Sequence, residues 1–260
     1  MKQIPNLFTL LNLVFGCLAI VYTMQSGIII VNNPNTGQQL LDIPQKIWMA
    51  SLFIGLAAVV DFLDGFVARL FNATSPMGKQ LDSLADVVSF GVAPGIILYQ
   101  FLRLAVAKEE NGLDASVIWL LPAFLIPAGA AWRLAKFNLA TDQDYSFKGV
   151  PTPAIGLLIA SLPLIYWNAD QQWLIDALTN KWILILFAIV MVLLMVSNIP
   201  IMGFKFKDYS VKNNWPKYLL VALGIVAILM LKWIAVPVIF IAYVLISLLF
   251  QNKTGAISKN

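Results

Sequence analysis

Eight apolar runs constrain the fold of this chain more than any other feature. They lie at about 7–24, 46–70, 82–106, 116–140, 152–168, 181–199, 215–231 and 233–250. A helix needs about 20 apolar residues to cross a hydrocarbon core about 30 Å thick, and only helices or closed barrels satisfy every backbone hydrogen bond there. Because hydrophobic residues make up 60% of the chain and charged residues only 12%, we expect an all-α, polytopic membrane helix bundle with about eight transmembrane helices in a single membrane domain, 1–260.

The distribution of basic residues predicts the orientation of the chain. Eight spans place both termini on one side, where twelve of the seventeen Lys and Arg residues also fall. By the positive-inside rule we expect both termini to be cytoplasmic and the protein to lie in the plasma (inner) membrane. The short runs 215–231 and 233–250 are separated only by Lys232, so a re-entrant pair is an alternative there. The net charge of +4 is too dispersed to indicate nucleic-acid binding.

Four aspartates interrupt the apolar sequence around the end of the second run and the start of the third. Asp61 and Asp64 are three residues apart, and Asp82 and Asp86 are four apart, so each pair shares one face of its own helix. Pro76 breaks the chain between the pairs, which allows two helices to fold back and bring them together. An ionised Asp facing lipid costs about 2.5–3.5 kcal/mol on insertion scales, so we expect the four to surround a cation or line a wet cavity.

The residue types available limit the chemistry of this cluster. The chain has no His and a single Cys, so metal ligation and acid–base work fall to carboxylates, and oxygen ligands suit Mg²⁺, Mn²⁺ or Ca²⁺. Asp86, the last of the four, is the candidate general base. At about 1.5 Å per residue, Asp61 lies roughly 22 Å along the second run, which predicts a site near the cytoplasmic interface. A divalent-cation transporter is an alternative, and it predicts carboxylates near the midplane with access from both faces.

Small residues and a cation accompany the aspartates. Gly65 and Gly78 have no side chain, so a nucleotide could approach the backbone there. The small side chain of Ala68 also leaves space on the same face. Arg69 is placed to bind phosphate. Two simpler interpretations remain: the glycines could serve helix packing, and Arg69 could be a topology anchor.

Further polar residues follow at the predicted cytoplasmic ends of later runs. Arg133 and Lys136 share a helix face without an acidic partner in that helix, so they could hold an anionic group or anchor the helix at the interface. The other candidates for acceptor or lipid-phosphate contacts are Asn138, Lys148 and Ser197. For Ser197, which precedes Lys205 and Lys207, a plain interfacial role is the simpler interpretation.

The spacing of the first cluster resembles the signature of the CDP-alcohol phosphatidyltransferases, carried here by Asp61, Asp64, Gly65, Ala68, Arg69, Gly78, Asp82 and Asp86. The resemblance implies a six-helix core, here 1–207 with an added pair at 215–250, in a protein that is usually a homodimer. It implies CDP-diacylglycerol as donor, an alcohol as acceptor, release of CMP, and divalent metal, Mg²⁺ or Mn²⁺, as two ions. It also assigns roles: metal ligands at Asp61, Asp64 and Asp82, a role shared between metal and base at Asp86, and nucleotide contacts at Gly65, Ala68, Arg69 and Gly78.

Other stretches are similar to the branch of this family that uses serine. They are Pro5 to Asn12 with Gly16, Ser89 to Pro94, Arg133 to Asn138 and Gly149 to Pro151. This similarity implies L-serine as the acceptor, with Arg133 as the candidate for its carboxylate because the guanidinium fork matches that group. A glycerol phosphate or inositol phosphate acceptor stays open, since Arg133 and Lys136 could also bind phosphate. Attack could be direct or through a phosphatidyl-enzyme, and we favour direct attack because Asp86 suffices as a base.

Overall fold

The computed structural model describes residues 4–32, 39–70, 75–109, 112, 116–139, 147–203 and 211–250. Ten α-helices account for most of these residues: α1 Ile4–Gln25, α2 Trp48–Leu70, α3 Pro76–Asp86, α4 Ala93–Ala107, α5 Leu125–Leu139, α6 Thr152–Asn168, α7 Gln172–Leu178, α8 Lys181–Val196, α9 Val211–Leu231 and α10 Ala235–Leu249. The described part also contains two short antiparallel sheets, one pairing β1 Ile29–Asn32 with β2 Gln39–Asp42 and one pairing β3 Phe147–Lys148 with β4 Pro200–Ile201. The all-α class is confirmed.

Five of the described helical segments are long and apolar enough to cross a membrane, or six if the bent pair α7–α8 forms one span. The five are Pro5–Gln25, Gln45–Leu70, Pro76–Ala107, Val117–Leu139 and Asn214–Leu249. A polytopic membrane helix bundle is therefore supported, whereas the predicted count of eight spans is not confirmed. Part of the difference comes from α6, which has only 17 residues, and from α7 and α8, which meet at 69°.

The segment Asn214–Leu249 is a helical hairpin rather than one straight helix. A 3₁₀ turn at Lys232–Ile234 separates α9 from α10, and Lys232 has a positive φ of 51°. The rings of Trp215 and Phe250, near the two ends of the segment, lie 4.6 Å apart. The two helices therefore run antiparallel against each other, an arrangement that fits either two spans or a re-entrant pair.

The predicted polar loop at 25–45 contains the hairpin β1–β2. Ile29 pairs with Asp42 at its base. The Oδ1 atom of Asp42 accepts hydrogen bonds from the hydroxyl of Tyr166, at 2.7 Å, and from the backbone N–H of Ile43, also at 2.7 Å. The hairpin is thereby tied to α6.

The continuous helical segment α3–α4 lies at the centre of the described bundle. An apolar stretch of 18 residues in this segment is 56% buried, against 22–33% for the corresponding stretches of the other four long segments. A π-helical turn at Val87–Val92 joins α3 to α4, directly after Asp86. A Cβ at Gly91 would lie 2.9 Å from the Cβ of Ala130 on α5, so a small residue is needed for the two helices to approach this closely. Helices α1, α5 and α6 all pack around this turn.

Candidate active site

Three of the predicted aspartates meet where α2 ends and α3 begins. Asp61 and Asp64 come from α2 and Asp82 from α3, and one carboxylate oxygen of each lies within 4.8 Å of the others. Asp64 is only 7% exposed, and the other two are half-buried. The start of α3 is fixed locally, because the Ser75 hydroxyl accepts a hydrogen bond from the N–H of Gly78 at 3.0 Å and Pro76 occupies the first helical position.

Asp86 lies one helical turn beyond Asp82, outside this three-residue cluster but beside Asp61. It is 7% exposed. The Nδ2 atom of Asn12 donates a hydrogen bond to its Oδ1 at 3.3 Å, within buried surroundings. This partner holds one of the two carboxylate oxygens in a defined position, as a general base requires.

Helix α1 contributes partners that the sequence analysis did not assign to the site. The hydroxyl of Thr9 donates to Asp64 Oδ2 at 2.8 Å, and Asn12 donates to Asp86. The hydroxyl of Ser89 donates to the backbone carbonyl of Asn12 at 3.0 Å. A Cβ at Gly16 would overlap the Ser89 hydroxyl, so α1 can approach the π-helical turn only with glycine there. The sequence held one sign of these contacts: Thr9 and Asn12 are three residues apart, on one helix face, within an apolar run.

Two of the aspartates, Asp64 and Asp82, line a cleft of about 460 Å³ at one end of the bundle. Its walls come from the start of α1, the end of α2 and the start of α3: Pro5, Asn6, Thr9, Asp64, Gly65, Ala68, Ser75, Pro76, Gly78, Lys79 and Asp82. Three of the four predicted nucleotide contacts therefore line it. The fourth, Arg69, is exposed, and its Nη1 lies 3.7 Å from where a Cβ at Gly65 would be.

The surroundings of Gly65 bear on the alternative of helix packing. A Cβ placed there would meet only the Arg69 guanidinium, at 3.7 Å. Gly78 is tighter, because a Cβ there would lie 3.1 Å from the side-chain oxygens of both Asn6 and Ser75. Open space at Gly65 favours access to the cleft over helix packing as the reason for that glycine.

The second predicted constellation adjoins the aspartates through one hydrogen bond. Asn138, near the end of α5, donates from Nδ2 to the hydroxyl of Ser83 at 2.8 Å, and Ser83 follows Asp82 directly. Arg133 is half-buried and donates to the backbone carbonyl of Gly149 at 3.3 Å. The exposed Lys136 donates to Asn198 Oδ1 at 2.9 Å. The side-chain Oδ1 of Asn138 is buried and accepts no hydrogen bond from the residues that the structure describes, so an acceptor atom is available beside α3.

The remaining two candidates have surroundings of a simpler kind. Lys148 is exposed. The hydroxyl of Ser197 donates to the carbonyl of Leu194 at 2.9 Å and accepts from the N–H of Ile199 at 3.4 Å. Both bonds lie within the turn that ends α8. Lys205 and Lys207 lie outside the described residues.

The donor chemistry of the cluster fits a hard divalent cation. Asp61, Asp64 and Asp82 supply carboxylate oxygens from two helices, and a chain without His has no imidazole to offer. Oxygen ligands of this kind suit Mg²⁺ and Mn²⁺. The bond from Thr9 occupies one side of the Asp64 carboxylate and orients the group, as outer partners do for metal ligands.

Comparison with known families decides how this arrangement is classified. The family model described as CDP-alcohol phosphatidyltransferase matches residues 2–202. This chain belongs to the CDP-alcohol phosphatidyltransferase family. The match includes all four aspartates and all the residues of the second constellation, whereas the hairpin α9–α10 lies beyond it.

Curated members of the CDP-alcohol phosphatidyltransferase family also resemble the chain over most of its length. A CDP-diacylglycerol–serine O-phosphatidyltransferase of Helicobacter pylori is 31% identical over 210 residues, covering 80% of this chain and 75% of the relative. A protein of the same name from Mycobacterium tuberculosis is 30% identical over 252 residues, covering 94% and 76%. Another from Bacillus subtilis is 31% identical over 166 residues, covering 64% and 78%.

Proposed function

We propose that this chain transfers the phosphatidyl group of CDP-diacylglycerol to the hydroxyl of L-serine, forming phosphatidylserine and releasing CMP. The observation that carries the proposal is the open cleft whose wall combines converging carboxylates with Gly65, Ala68 and Gly78. A bound pyrophosphate needs cations to neutralise its charge, and the nucleotide needs small side chains in the wall of the cleft so that it has space to enter. Family membership and the names of the relatives support the same reaction.

The residues that line the cleft and their neighbours would have the following roles. Asp61, Asp64 and Asp82, with Asp86 at one side, would hold Mg²⁺ or Mn²⁺, as two ions. When bound, such ions supply positive charge that neutralises pyrophosphate oxygens and stabilises the leaving phosphate of CMP. Arg69, beside the opening of the cleft, would add a guanidinium to the nucleotide phosphates.

Asp86 would act as the general base. Its second carboxylate oxygen would take the proton of the serine hydroxyl while Asn12 holds Oδ1. The serine oxygen would form a bond to the phosphorus attached to diacylglycerol, and the bond from that phosphorus to the CMP oxygen would break. Direct attack requires one base, which Asp86 would supply, so we propose direct attack without a phosphatidyl-enzyme.

The acceptor would bind between α3 and α5. Asn138 links this region to the aspartates through Ser83, and Arg133 lies close by on the same helix, with a bidentate group that matches the serine carboxylate. Lys136, Lys148 and Ser197 would form the rim of the acceptor site, where lipid phosphates are within reach. A phosphorylated acceptor such as glycerol phosphate or inositol phosphate is the alternative, because the same cations could bind its phosphate.

The cleft also bears on the transporter alternative. All of its walls come from the start of α1, the end of α2 and the start of α3, so it opens at one end of the described bundle. A transporter would require access from both faces. The one-ended cleft therefore favours the transferase.

The organisation of the whole chain belongs to the same proposal. We infer a single membrane domain with a core at 1–207 and a C-terminal pair at 215–250, eight membrane-embedded helices in all, and a homodimer in the plasma (inner) membrane. The excess of basic residues on one side supports cytoplasmic termini and a cytoplasmic active site. Serine and CDP-diacylglycerol would both reach the cleft from that side.

The acceptor can be tested by measuring CMP release from CDP-diacylglycerol by the purified protein with Mn²⁺ or Mg²⁺. We expect release to depend on serine, and to stay near background when glycerol 3-phosphate or inositol phosphate replaces it. A matched reaction without acceptor measures hydrolysis. Release with a phosphorylated acceptor instead of serine would overturn the acceptor assignment. Folded protein with bound Mn²⁺ that releases no CMP with any acceptor would overturn the transferase reaction itself.

Substituting Gly65→Leu should raise the KM for CDP-diacylglycerol by about tenfold or more, because the side chain would project into the cleft. Thermal stability should be little changed, since a Cβ there meets only the flexible end of Arg69. Gly55→Leu is the matched control, because Gly55 lies on the same helix and a Cβ there would have no atom of the described residues within 4 Å. A loss of stability at Gly65 with an unchanged KM would instead assign this glycine to helix packing.

A further inference from the structure

We propose that the C-terminal hairpin α9–α10 is a positioning element that holds the Gly149 loop, and through it Arg133, in place for the acceptor. The hairpin lies beyond residues 2–202, which the family model matches, and the proposed reaction gives it no role. The inference rests on the proposed acceptor-binding function of Arg133. It follows from a continuous series of hydrogen bonds that begins on α10 and ends at Arg133.

The first step is the attachment of α10 to Met202, directly after β4. The hydroxyl of Tyr243 donates to the carbonyl of Met202 at 3.0 Å. The hydroxyl of Ser247 accepts from the N–H of Met202 at 3.2 Å and donates to the carbonyl of Tyr243 at 2.7 Å. All three residues are at most 6% exposed. Both backbone polar groups of Met202 are thus satisfied by α10, and buried groups of this kind must have partners.

The second step leads from Met202 to the loop that binds Arg133. Strand β4 pairs with β3 in a two-residue ladder, with Lys148 opposite Pro200. Beyond the ladder, the N–H of Gly149 donates to the carbonyl of Ile199 at 2.8 Å. The carbonyl of Gly149 then accepts the hydrogen bond from Arg133. The position of the Arg133 guanidinium therefore depends on where β4 lies.

The geometry of the loop explains why it needs outside support. Gly149 has a φ of 74°, a conformation that side chains rarely adopt, and a Cβ there would overlap the carbonyl oxygen of Met195. A ladder of two residues on each strand is too short to be stable alone. The N–H of Val150 donates to the carbonyl of Leu194 on α8 at 3.0 Å, and the bonds from α10 to Met202 hold β4 from its far side.

The hairpin also lies within electrostatic range of Arg133, because the Tyr243 side chain interacts with its charge. The direct attachment of α10 is the pair of hydrogen bonds to Met202. A helix that only anchored the chain in lipid would not need these bonds. Tyr243 and Ser247, which are four residues apart on the otherwise apolar α10, hold β4 in place and through it the Gly149 loop.

Two variants of the full-length protein test this role, Tyr243→Phe and Ser247→Ala, each of which removes one hydroxyl and keeps the packing. We expect hydrogen exchange at the amides of Gly149 and Val150 to rise by about tenfold. The KM for serine should rise roughly threefold to tenfold, with kcat and the KM for CDP-diacylglycerol within about twofold of the parent. Ser161→Ala is the matched control, because that buried hydroxyl bonds only within its own helix, to Leu158.

Two results would overturn the proposal. One is unchanged exchange of the loop amides in both variants, and the other is faster exchange with an unchanged KM for serine while Arg133→Gln raises that KM. Arg133→Gln also separates this inference from the proposed function. If Arg133→Gln leaves the KM for serine unchanged, the acceptor role of Arg133 fails, and the positioning role falls with it even where the exchange data show that the hairpin holds the loop.

Discussion

Replacing Asp86 by Asn should lower kcat for serine-dependent CMP release by about 10²–10⁴-fold, the usual contribution of a general base. Asn has nearly the same size, and its side-chain oxygen can still accept the hydrogen bond from Asn12, so the fold should persist. The amide cannot take a proton from the serine hydroxyl. The loss should therefore appear in kcat, with a smaller change in the KM for CDP-diacylglycerol.

The measurement is steady-state CMP release together with a titration of Mn²⁺, because Asp86 also lies beside Asp61 and could share in binding metal. Saturating Mn²⁺ should not restore the activity of the variant. Asp176→Asn is a suitable control, since Asp176 is paired with Gln172 on the short helix α7, away from the cleft. Retention of more than half of kcat in Asp86→Asn would require another base.

The aspartate cluster could be predicted from the sequence because its logic is local. Spacings of three and four residues place Asp61 with Asp64, and Asp82 with Asp86, on single helix faces, and Pro76 marks where the chain reverses. The cost of leaving such groups in lipid then requires that the pairs meet. The structure brings Asp61, Asp64 and Asp82 together and leaves Asp86 one turn away, next to its partner on α1.

The partners on α1 could not be predicted in the same way. Thr9 and Asp64 are 55 residues apart in the chain, and Asn12 and Asp86 are 74 apart. Such bonds depend on the rotation and depth of one helix against another, which hydrophobic runs do not specify. The close approach of Gly16 to Ser89 sets both for α1, and only the assembled bundle reveals that contact.

The number of membrane spans could not be predicted from the sequence for a different physical reason. An apolar run shows that a segment is stable in lipid, but not whether it stays straight or crosses completely. The break at Lys232 could be placed from the sequence, and the structure turns it into the hairpin α9–α10. The start of α8 at Lys181 also coincides with the start of a predicted run, whereas the short helix α7 was not predicted, because residues 169–180 mix polar and apolar side chains without a long apolar run.

Removing the charge of Asp64 should have the other large effect, on cation binding itself. Asp64→Asn keeps a side-chain oxygen that can accept the hydrogen bond from Thr9, so the variant should fold. It removes the charge of one of the three carboxylates whose oxygens lie within 4.8 Å of one another. Mn²⁺ binding, followed by electron paramagnetic resonance on the purified protein, should weaken by more than about 100-fold, because loss of an outer partner alone costs about 10–100-fold. Serine-dependent CMP release should fall in parallel.

Thr9 provides the graded comparison for that experiment. Thr9→Val preserves the shape of the side chain and removes the hydroxyl, so Mn²⁺ binding should weaken by about 10–100-fold, and Thr9→Ser should restore most of it. Unchanged Mn²⁺ affinity in Asp64→Asn would place the cation elsewhere. Unchanged affinity in Thr9→Val alone would mean that the bond to Asp64 secures the packing of α1 on α2 and does not orient a ligand. The Mn²⁺ affinities of Asp64→Asn, Thr9→Val and Thr9→Ser, compared in this order, thus separate the effect of the ligand's charge from the effect of its orientation.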